Sequence, residues 1–288
     1  MTTPRLFCFG LGYTARRLAL RLMSKGWDVA GTVRDRQRVK EIEDLGIEVF
    51  PFDRERFLEN PKSKLMRATH LLSSVPPDIE GDAVLDAHGE VIAELGHTFK
   101  WIGYLSTTGV YGDRNGGTVR EGDVLQPTSA RAHRRVEAES RWLGLKAHIF
   151  RIAGIYGPHR GVLEDVRQGR AKRIDKPGQV FSRIHVDDLG RILAASMAAP
   201  DAGEIYNVCD DEPAPPIQVV TFACELLGVK PPLVQSFEEA KKEMSQMALT
   251  FWADNKRVDN RRIKEELGVQ LLYPDYRQGL RASLEDGD

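Results

Sequence analysis

The 288-residue sequence contains little cysteine, and it has no long apolar run. The three cysteines, Cys8, Cys209 and Cys224, are scattered without a Cys-x-x-Cys pair, which argues against a disulfide framework and against a zinc site. No apolar stretch approaches the ~20 residues that cross a bilayer, so we expect no membrane span. The first apolar segment begins at Leu6, which leaves little room for a signal peptide. Together with the scattered cysteines, this favours a reducing, cytoplasmic location.

The sequence also lacks an excess of charge of either sign. It has 41 Lys and Arg against 42 Asp and Glu, a net charge of −1, which gives no bulk argument for a nucleic acid or a membrane partner. The segment 160–176 is locally basic, but it is poor in aromatic residues and offers no stacking platform for single-stranded nucleic acid. We therefore expect a small-molecule substrate.

The first half of the chain alternates short apolar segments with helical patterns. Strands are predicted at residues 6–9, 27–33, 47–52, 70–75, 101–106 and 147–152, and the clearest helices at 81–96 and 128–143. This alternation is typical of an α/β fold with a Rossmann-type, doubly wound parallel sheet.

The second half of the chain has a looser pattern. We predict strands at 183–186 and 205–209, a helix that Asp187 caps and that ends at Ala199, and a helix from Pro216 to Leu227. The expected domains are an NADP-binding Rossmann domain over 1–158 and a mainly substrate-binding, small α/β lobe over 159–288. Elements at about 180–210 are expected to return to the Rossmann sheet.

A glycine-rich turn, GLGYTA at residues 10–15, follows the first predicted strand. Gly10 permits a tight turn, Gly12 lets a pyrophosphate approach the backbone, and Ala15 lets the next helix pack closely on the sheet. The backbone N–H groups at the start of that helix, those of Tyr13 and Thr14 among them, would bind the phosphates. The pattern favours a dinucleotide site over its alternative, an ordinary strand–turn–helix unit.

The second predicted strand ends at Arg34 rather than at an acidic residue. An acid at this point would bind the ribose 2′-hydroxyl of NAD, whereas an arginine suits the 2′-phosphate of NADP. We therefore predict NADP(H) as the cofactor.

Further segments resemble the extended short-chain dehydrogenase/reductases, in the NAD-dependent epimerase/dehydratase superfamily. In chain order they are LSTTGVYG at 105–112, RIAGIYGP at 151–158, RIHVDD at 183–188, YNV at 206–208, KRVDN at 256–260 and LG at 267–268. The chain is most similar to the shorter, atypical branch described as nucleoside-diphosphate-sugar epimerase-like. The resemblance covers nearly the whole chain, and it implies a phosphorylated or nucleotide-linked substrate and a monomer or a homodimer.

The resemblance also implies further cofactor contacts. Asp53, after the third predicted strand, corresponds to the acid that meets the adenine amine, although such a residue could instead cap the strand end. Ser73, Ser74 and Val75 match the segment that passes beneath the ribose and the nicotinamide.

The family's catalytic Tyr-x-x-x-Lys pair is missing from this chain. Aligned on Ala138 and Glu139, the Tyr position falls on Arg131 and the Lys position on Arg135, in a helix without tyrosine. Arg135 could hold the nicotinamide ribose. Arg131 stays charged in proteins, so it could stabilise an oxyanion but could not donate a proton.

Other catalytic and substrate-binding residues are implied by the matched motifs. Thr107 corresponds to the hydroxyl that orients the substrate, and Thr108 and Tyr111 follow it in the same motif. His133 titrates in the useful range, but it lies on a different helix face from Arg131 and could be a solvated histidine.

Two more candidates lie in the second half of the chain. Arg160 opens the basic segment, which corresponds to a region that binds substrate phosphates and could alternatively be a solvated surface. His185 could approach the substrate, or it could be a structural histidine.

These observations leave two functions open. The first is an NADP-dependent oxidoreductase or epimerase-like enzyme that acts on a small, anionic carbonyl or sugar-nucleotide substrate. In this enzyme the proton would come from a non-standard donor or from water. The second is a catalytically silent NADP(H)-binding redox sensor or scaffold, which the missing tyrosine favours. The retained Thr107 and Arg135 are compatible with both.

Overall fold

The computed structural model describes residues 3–198 and 202–286. Within them the strands are β1 Arg5–Phe9, β2 Asp28–Val33, β3 Glu48–Pro51, β4 His70–Ser73, β5 Trp101–Thr107, β6 Thr118–Val119, β7 His148–Ile152, β8 Gly154–Tyr156, β9 Arg173–Asp175, β10 Arg183–His185, β11 Ile205–Val208, β12 Val234–Ser236 and β13 Arg257–Val258. The helices are α1 Tyr13–Met23, α2 Arg38–Glu43, α3 Pro61–Leu65, α4 Ala83–Glu94, α5 Ala130–Gly144, α6 Val162–Arg167, α7 Val186–Ala198, α8 Pro216–Leu226, α9 Phe237–Ala240, α10 Gln246–Ala253, α11 Arg261–Glu265 and α12 Tyr276–Glu285.

Seven strands form one parallel sheet in the order β11-β7-β5-β4-β1-β2-β3. The chain builds outward from β1 in one direction through β2 and β3, and in the other through β4, β5, β7 and β11. The order therefore reverses between β1 and β4, and ligands of such sheets bind at the carboxyl ends of the strands at this switch point. The arrangement confirms the predicted fold class.

The core of the sheet is apolar because helices cover both faces of a parallel sheet. All five residues of β1 are buried, and the two aromatic residues among them, Phe7 and Phe9, pack edge to face with ring centroids 5.1 Å apart. On the same side, Tyr104 of β5 stacks on Trp142 of α5 at 5.7 Å. These contacts hold the strand ends that carry the candidate site.

The chain divides into two compact units, which differ from the domains predicted from the sequence. The first consists of Met1–Thr107, Ala130–Arg151 and Gly190–Tyr206, and the second of Thr108–Ser129, Ile152–Leu189 and Asn207–Asp288. The chain leaves the first unit after β5 and again after β7, and the strands that follow these two pair with partners later in the chain. Strand β6 pairs with β13, and β8 pairs with β10.

Several element boundaries also differ from the expectations. Helix α7 begins at Val186, so Asp187 lies in its first turn rather than at its cap, and the predicted end at Ala199 lies outside the described residues. The basic segment, where the sequence pattern loosens, contains α6 and β9. None of the helices in the described ranges is long and apolar enough to cross a membrane.

Candidate active site

The turn after β1 has a backbone that requires glycine at its first position. Gly10 has a φ of +86°, and its N–H donates to the hydroxyl of Thr32 at 3.0 Å. A Cβ placed on Gly10 would lie 2.9 Å from Oγ of Ser74 and 3.1 Å from Cγ2 of Val75. Both the left-handed conformation and the close packing therefore exclude a side chain.

The second glycine of the turn faces open space, as the pyrophosphate prediction requires. A Cβ placed on Gly12 would meet no atom within 4 Å. Helix α1 begins directly after Gly12, with no side-chain cap and no acidic residue in its first turn. Its N-terminal N–H groups and its dipole therefore favour an anion at this point. Ala15 is fully buried, which fits close packing of α1 on the sheet.

The end of β4 supports this turn from the neighbouring strand. Ser73 lies opposite Phe9 in the sheet register, and the N–H of Ser74 donates to the carbonyl of Phe9 at 2.9 Å. The hydroxyl of Ser74 donates to the carbonyl of Gly10 at 2.5 Å. Ser74 thus fixes the glycine turn directly, a contact that spacing along the chain did not predict.

Arg34 and Asp53 lie at the same edge of the sheet, because Val33 and Pro51 are register partners. Arg34 is exposed, and its carbonyl accepts from the guanidinium of Arg56 at 2.9 Å. The same guanidinium pairs with the Asp53 carboxylate at 2.5 Å. Asp53 also accepts from the N–H of Glu55 at 3.1 Å, so its contacts are those of the strand-end cap considered as the alternative.

A second arginine of this turn, Arg54, joins the turn to the loop before α4 and to the first turn of α4. It donates to Asp78 at 2.7 Å, to Asp86 at 2.9 Å and to the carbonyl of Gly81 at 3.0 Å. Arg141 of α5 reaches Asp86 at 2.7 Å. The hydrogen bond from Arg54 lowers the pKa of Asp78. This network and Arg56 were both missed from the sequence, where the single available signal was two arginines close behind Asp53.

Arg135, at the family's Lys position, is fixed against β5. It is 7% exposed, and its Nη1 donates to the carbonyl of Leu105 at 2.5 Å, two residues before Thr107 at the end of the strand. The same nitrogen lies 3.3 Å from the hydroxyl of Tyr104. Burial raises the pKa of that phenol, which keeps it neutral. The structure therefore brings Arg135 close to the strand end that carries Thr107.

A buried ion pair anchors the helix that carries Arg135. Glu139 of α5 pairs with Arg151 of β7 at 2.8 Å, and the two side chains are 2% and 4% exposed. Ser106 of β5 donates to the same carboxylate at 2.5 Å. Charged groups this deep are stable when each is paired and hydrogen-bonded, so the triad sets the position of α5 against β5 and β7.

Arg131 and His133 occupy different sides of α5. Arg131 lies one helical turn before Arg135 on the same face. Partial burial, followed by the neighbouring charges of Arg135 and Arg134, lowers the pKa of Arg131. Arg131 and His133 are both exposed and lie outside the buried stripe of the helix, but His133 is two residues from Arg135 and so points to a different side. The structure thus groups Arg131 with Arg135 and does not group His133 with them.

In the second unit, the polar atom of Tyr111 is bonded to the fold. The residue is fully buried, and its hydroxyl donates to Asn207 at 2.7 Å. Asn207 in turn donates to the carbonyl of Asp259 at 3.1 Å. Thr108 begins the short 3-10 turn that contains Tyr111 and is half-buried. These bonds join the YG, YNV and KRVDN segments, which are far apart in the sequence.

His185 is also bonded through both ring nitrogens. The hydroxyl of Ser283 donates to the carbonyl of Gly279 at 2.7 Å, so it accepts from Nε2 of His185 at 3.1 Å. Nδ1 accepts from the N–H of Asp187 at 3.2 Å. The ring is fully buried, and these contacts favour the structural alternative for His185.

The basic segment forms ion pairs with acids of its own unit. Arg170 pairs with Asp165 at 2.9 Å, and Lys172 pairs with Glu243 at 2.6 Å. Arg160 is exposed, and its backbone closes a turn with Gly157. The paired charges favour the solvated-surface alternative for this segment. No group of three His, Cys, Asp or Glu side chains in the described residues could hold a metal ion.

Comparisons with known proteins identify relatives along the whole chain, although no family model matches. A conserved protein of Silicibacter pomeroyi DSS, described as functionally unknown, is 48% identical, covers 99% of both chains and superposes with a TM-score of 0.91. Protein YeeZ of Escherichia coli K12 is 29% identical over 279 residues, which cover 92% of this chain and 95% of that protein.

A more distant solved structure shares the fold. The dTDP-glucose 4,6-dehydratase of Bacillus anthracis str. Ames, in complex with NAD, is 16% identical and has a TM-score of 0.74 over 99% of this chain and 96% of that one. At this identity the likeness concerns the fold alone.

Proposed function

We propose a function from one premise: the chain belongs to the same family as the Silicibacter pomeroyi protein and has the fold of the NAD-dependent epimerase/dehydratase superfamily. The function is that of an NADP(H)-dependent oxidoreductase or epimerase-like enzyme. The observation that carries it is the turn from Gly10 to α1, where a Cβ on Gly12 would meet no atom and the helix start has no cap.

The residues of the first unit fit such a cofactor. The N–H groups after Gly12, including those of Tyr13 and Thr14, would bind the pyrophosphate, and Arg34 would bind the 2′-phosphate. Arg135 would hold the nicotinamide ribose, since its guanidinium is already fixed at the end of β5. When bound, the nicotinamide would supply or accept a hydride. The NAD complex of the Bacillus anthracis dehydratase supports a dinucleotide on this fold.

The reacting groups of the chain would then work without the usual tyrosine. Thr107 would orient the substrate oxygen from the end of β5. Arg131 would stabilise negative charge on that oxygen, because a guanidinium offers fixed donors and does not give up its proton. The proton would come from another donor or from water.

The substrate would be a small, anionic carbonyl compound or a sugar nucleotide. The support is the fold shared with an enzyme named for dTDP-glucose. A catalytically silent NADP(H) sensor or scaffold is the second candidate, and the arginine at the Tyr position favours it.

Two glycines provide the test of nucleotide binding. Gly12→Val would project into the open space beside the turn, and Gly96→Val would do the same at a site where a Cβ also meets no protein atom. We expect Gly12→Val to weaken NADPH binding by about 100-fold or more, measured by titration calorimetry, because side-chain atoms would block the phosphates. Gly96→Val should bind as the wild type does. Equal binding by the two variants would overturn the proposed site.

Turnover separates the two candidate functions. A panel of carbonyl compounds and sugar nucleotides, assayed by NADPH absorbance, should reveal a substrate whose conversion is lost in Thr107→Ala while NADPH binding is kept. Equal affinity for NADPH and NADP⁺ without turnover on the panel would favour the sensor.

A further inference from the structure

The turn that follows β3 closes over the end of β2 through one guanidinium. Nη2 of Arg56 donates to Oδ2 of Asp53 at 2.5 Å and to the carbonyl of Arg34 at 2.9 Å. The turn itself is closed by two backbone hydrogen bonds between Asp53 and Arg56, at 3.0 and 3.3 Å. Arg56 therefore sits between the predicted adenine residue and the predicted 2′-phosphate residue.

We propose that Arg56 determines the preference for NADP(H) over NAD(H), by neutralising Asp53 and by holding the backbone of Arg34. This inference rests on the proposed function, because it assigns a role within the same nucleotide site. Arg56 would act as a specificity-determining residue, with Arg34 as the direct partner of the 2′-phosphate.

Arg56 compensates the negative charge of Asp53. Asp53 follows β3, but its turn lies beside the end of β2, where an uncompensated carboxylate would repel a 2′-phosphate held by Arg34. Here the carboxylate is paired, and the side chains of Arg56 and Asp53 are 28% and 27% exposed. A charge-assisted hydrogen bond at partial burial removes much of that repulsion. The pair thus lets an acid remain in this turn without excluding NADP.

Arg56 also helps to fix the backbone position of Arg34. The carbonyl of Val33 accepts from the N–H of Phe52 at 2.9 Å, and the next carbonyl, that of Arg34, accepts from Arg56. The backbone at the end of β2 is therefore held at two successive residues, while the Arg34 side chain is exposed. Among the described residues that guanidinium takes part in no ion pair, which leaves its donors for a phosphate.

Two arginines of the flanking helices differ from Arg34 in this respect. Arg16 of α1 and Arg38 of α2 both pair with Glu41. Their charge is compensated within the fold, so they are weaker candidates for the 2′-phosphate than Arg34 with Arg56 behind it.

The test is the ratio of the dissociation constants of NADH and NADPH, with 2′,5′-ADP and 5′-ADP as smaller probes. Arg56→Met should lower the affinity for NADPH by about tenfold relative to NADH, because an unpaired Asp53 carboxylate near Arg34 would repel the 2′-phosphate. Asp53→Asn in the Arg56→Met background should restore most of the preference, whereas a merely structural role of Arg56 predicts no rescue. Arg56→Lys should keep most of the preference for NADPH over NADH.

The control removes an arginine near the amino-terminal ends of the strands, opposite to the ends that carry the candidate site. Arg67 is 61% exposed and pairs at 3.5 Å with Glu48, the first residue of β3, so Arg67→Met changes the same charge away from the candidate site. Its ratio should equal that of the wild type.

The outcomes also separate this inference from the proposed function. A wild type that binds neither dinucleotide overturns both. A wild type that prefers NADPH, with an unchanged ratio in Arg56→Met, overturns the role of Arg56 alone. If Arg56→Met does not fold, Arg56→Lys and Arg56→Gln replace it, and equal ratios in these two variants overturn the inference.

Discussion

The glycine turn and Arg34 of the first unit differ from Tyr111 and His185 of the second unit in how the fold uses their polar groups. In the first unit, the start of α1 has no side-chain cap, space surrounds Gly12, and the Arg34 side chain is exposed. In the second, the hydroxyl of Tyr111 and both ring nitrogens of His185 are bonded to buried neighbours. Groups that bind a ligand need donors that the fold has not used, whereas bonded polar groups stabilise the fold. The contrast favours the first unit as the ligand site.

Some polar side chains of the first unit stabilise the fold instead of binding a ligand. The largest effect on stability is expected from the buried pair of Glu139 and Arg151. Glu139→Ala would leave Arg151 buried without its carboxylate, and we expect a loss of about 3–5 kcal/mol in the free energy of unfolding. Urea denaturation measures it, with Glu137→Ala, exposed on the same helix, as the control. Equal midpoints for the two variants would show that the pair does not anchor α5.

A buried acid of the second unit should make stability depend on pH. Asp210 is 2% exposed, and burial raises its pKa to about 8, against the attraction of Arg183. Between pH 4 and pH 8 the folded state holds on Asp210 a proton that the unfolded state has lost, so the contribution of Asp210 to stability should fall as pH rises through this window.

The matched variants for this effect are neighbours in the chain. Relative to the wild type, Asp210→Asn should lose a stabilisation on the order of a few kcal/mol at pH 4 that is absent at pH 8, in melts across this range. Asp211→Asn, at a more exposed acid that pairs with Lys264, should keep it. The same slope in both variants would contradict the assignment to Asp210.

Arg34 of the first unit should affect the binding of NADPH. Arg34→Ala should weaken NADPH binding about tenfold or more and leave NADH binding nearly unchanged, because the lost contact is to the 2′-phosphate. Fluorescence titrations of both nucleotides measure this, with Arg67→Ala as the control. If both nucleotides are weakened alike, the 2′-phosphate assignment of Arg34 is wrong.

The smallest expected effect is a loss of stability on removing the Tyr111 hydroxyl, which tests whether this group of the second unit serves the fold. Tyr111→Phe removes the hydrogen bond to Asn207, and we expect a loss of about 1–2 kcal/mol of stability with no change in NADPH affinity. Thermal melts and the same titrations measure the two quantities. A loss of turnover at unchanged stability would instead place Tyr111 among the substrate-binding residues.

The sequence predicted the parts of the site that depend on local conformation. Gly10, Gly12 and Ala15 could be recognised because a tight turn, a close phosphate and a packed helix each restrict the residue type at a fixed spacing. The parallel sheet followed from the alternation of strands and helices, with boundaries shifted by one or two residues.

The sequence did not predict the contacts that depend on pairing between distant segments. Arg56 with Arg34, and Arg54 with Asp78 and Asp86, join residues more than 20 positions apart. The pairing of β6 with β13 and of β8 with β10 likewise joins segments that are distant in the chain.

A crystal structure with NADPH bound tests the central claim most directly. We predict that the pyrophosphate binds to the N–H groups at the start of α1, beside Gly12. The 2′-phosphate should lie within hydrogen-bonding distance of the Arg34 guanidinium. NADPH bound away from this turn, or with its 2′-phosphate out of reach of Arg34, would contradict it.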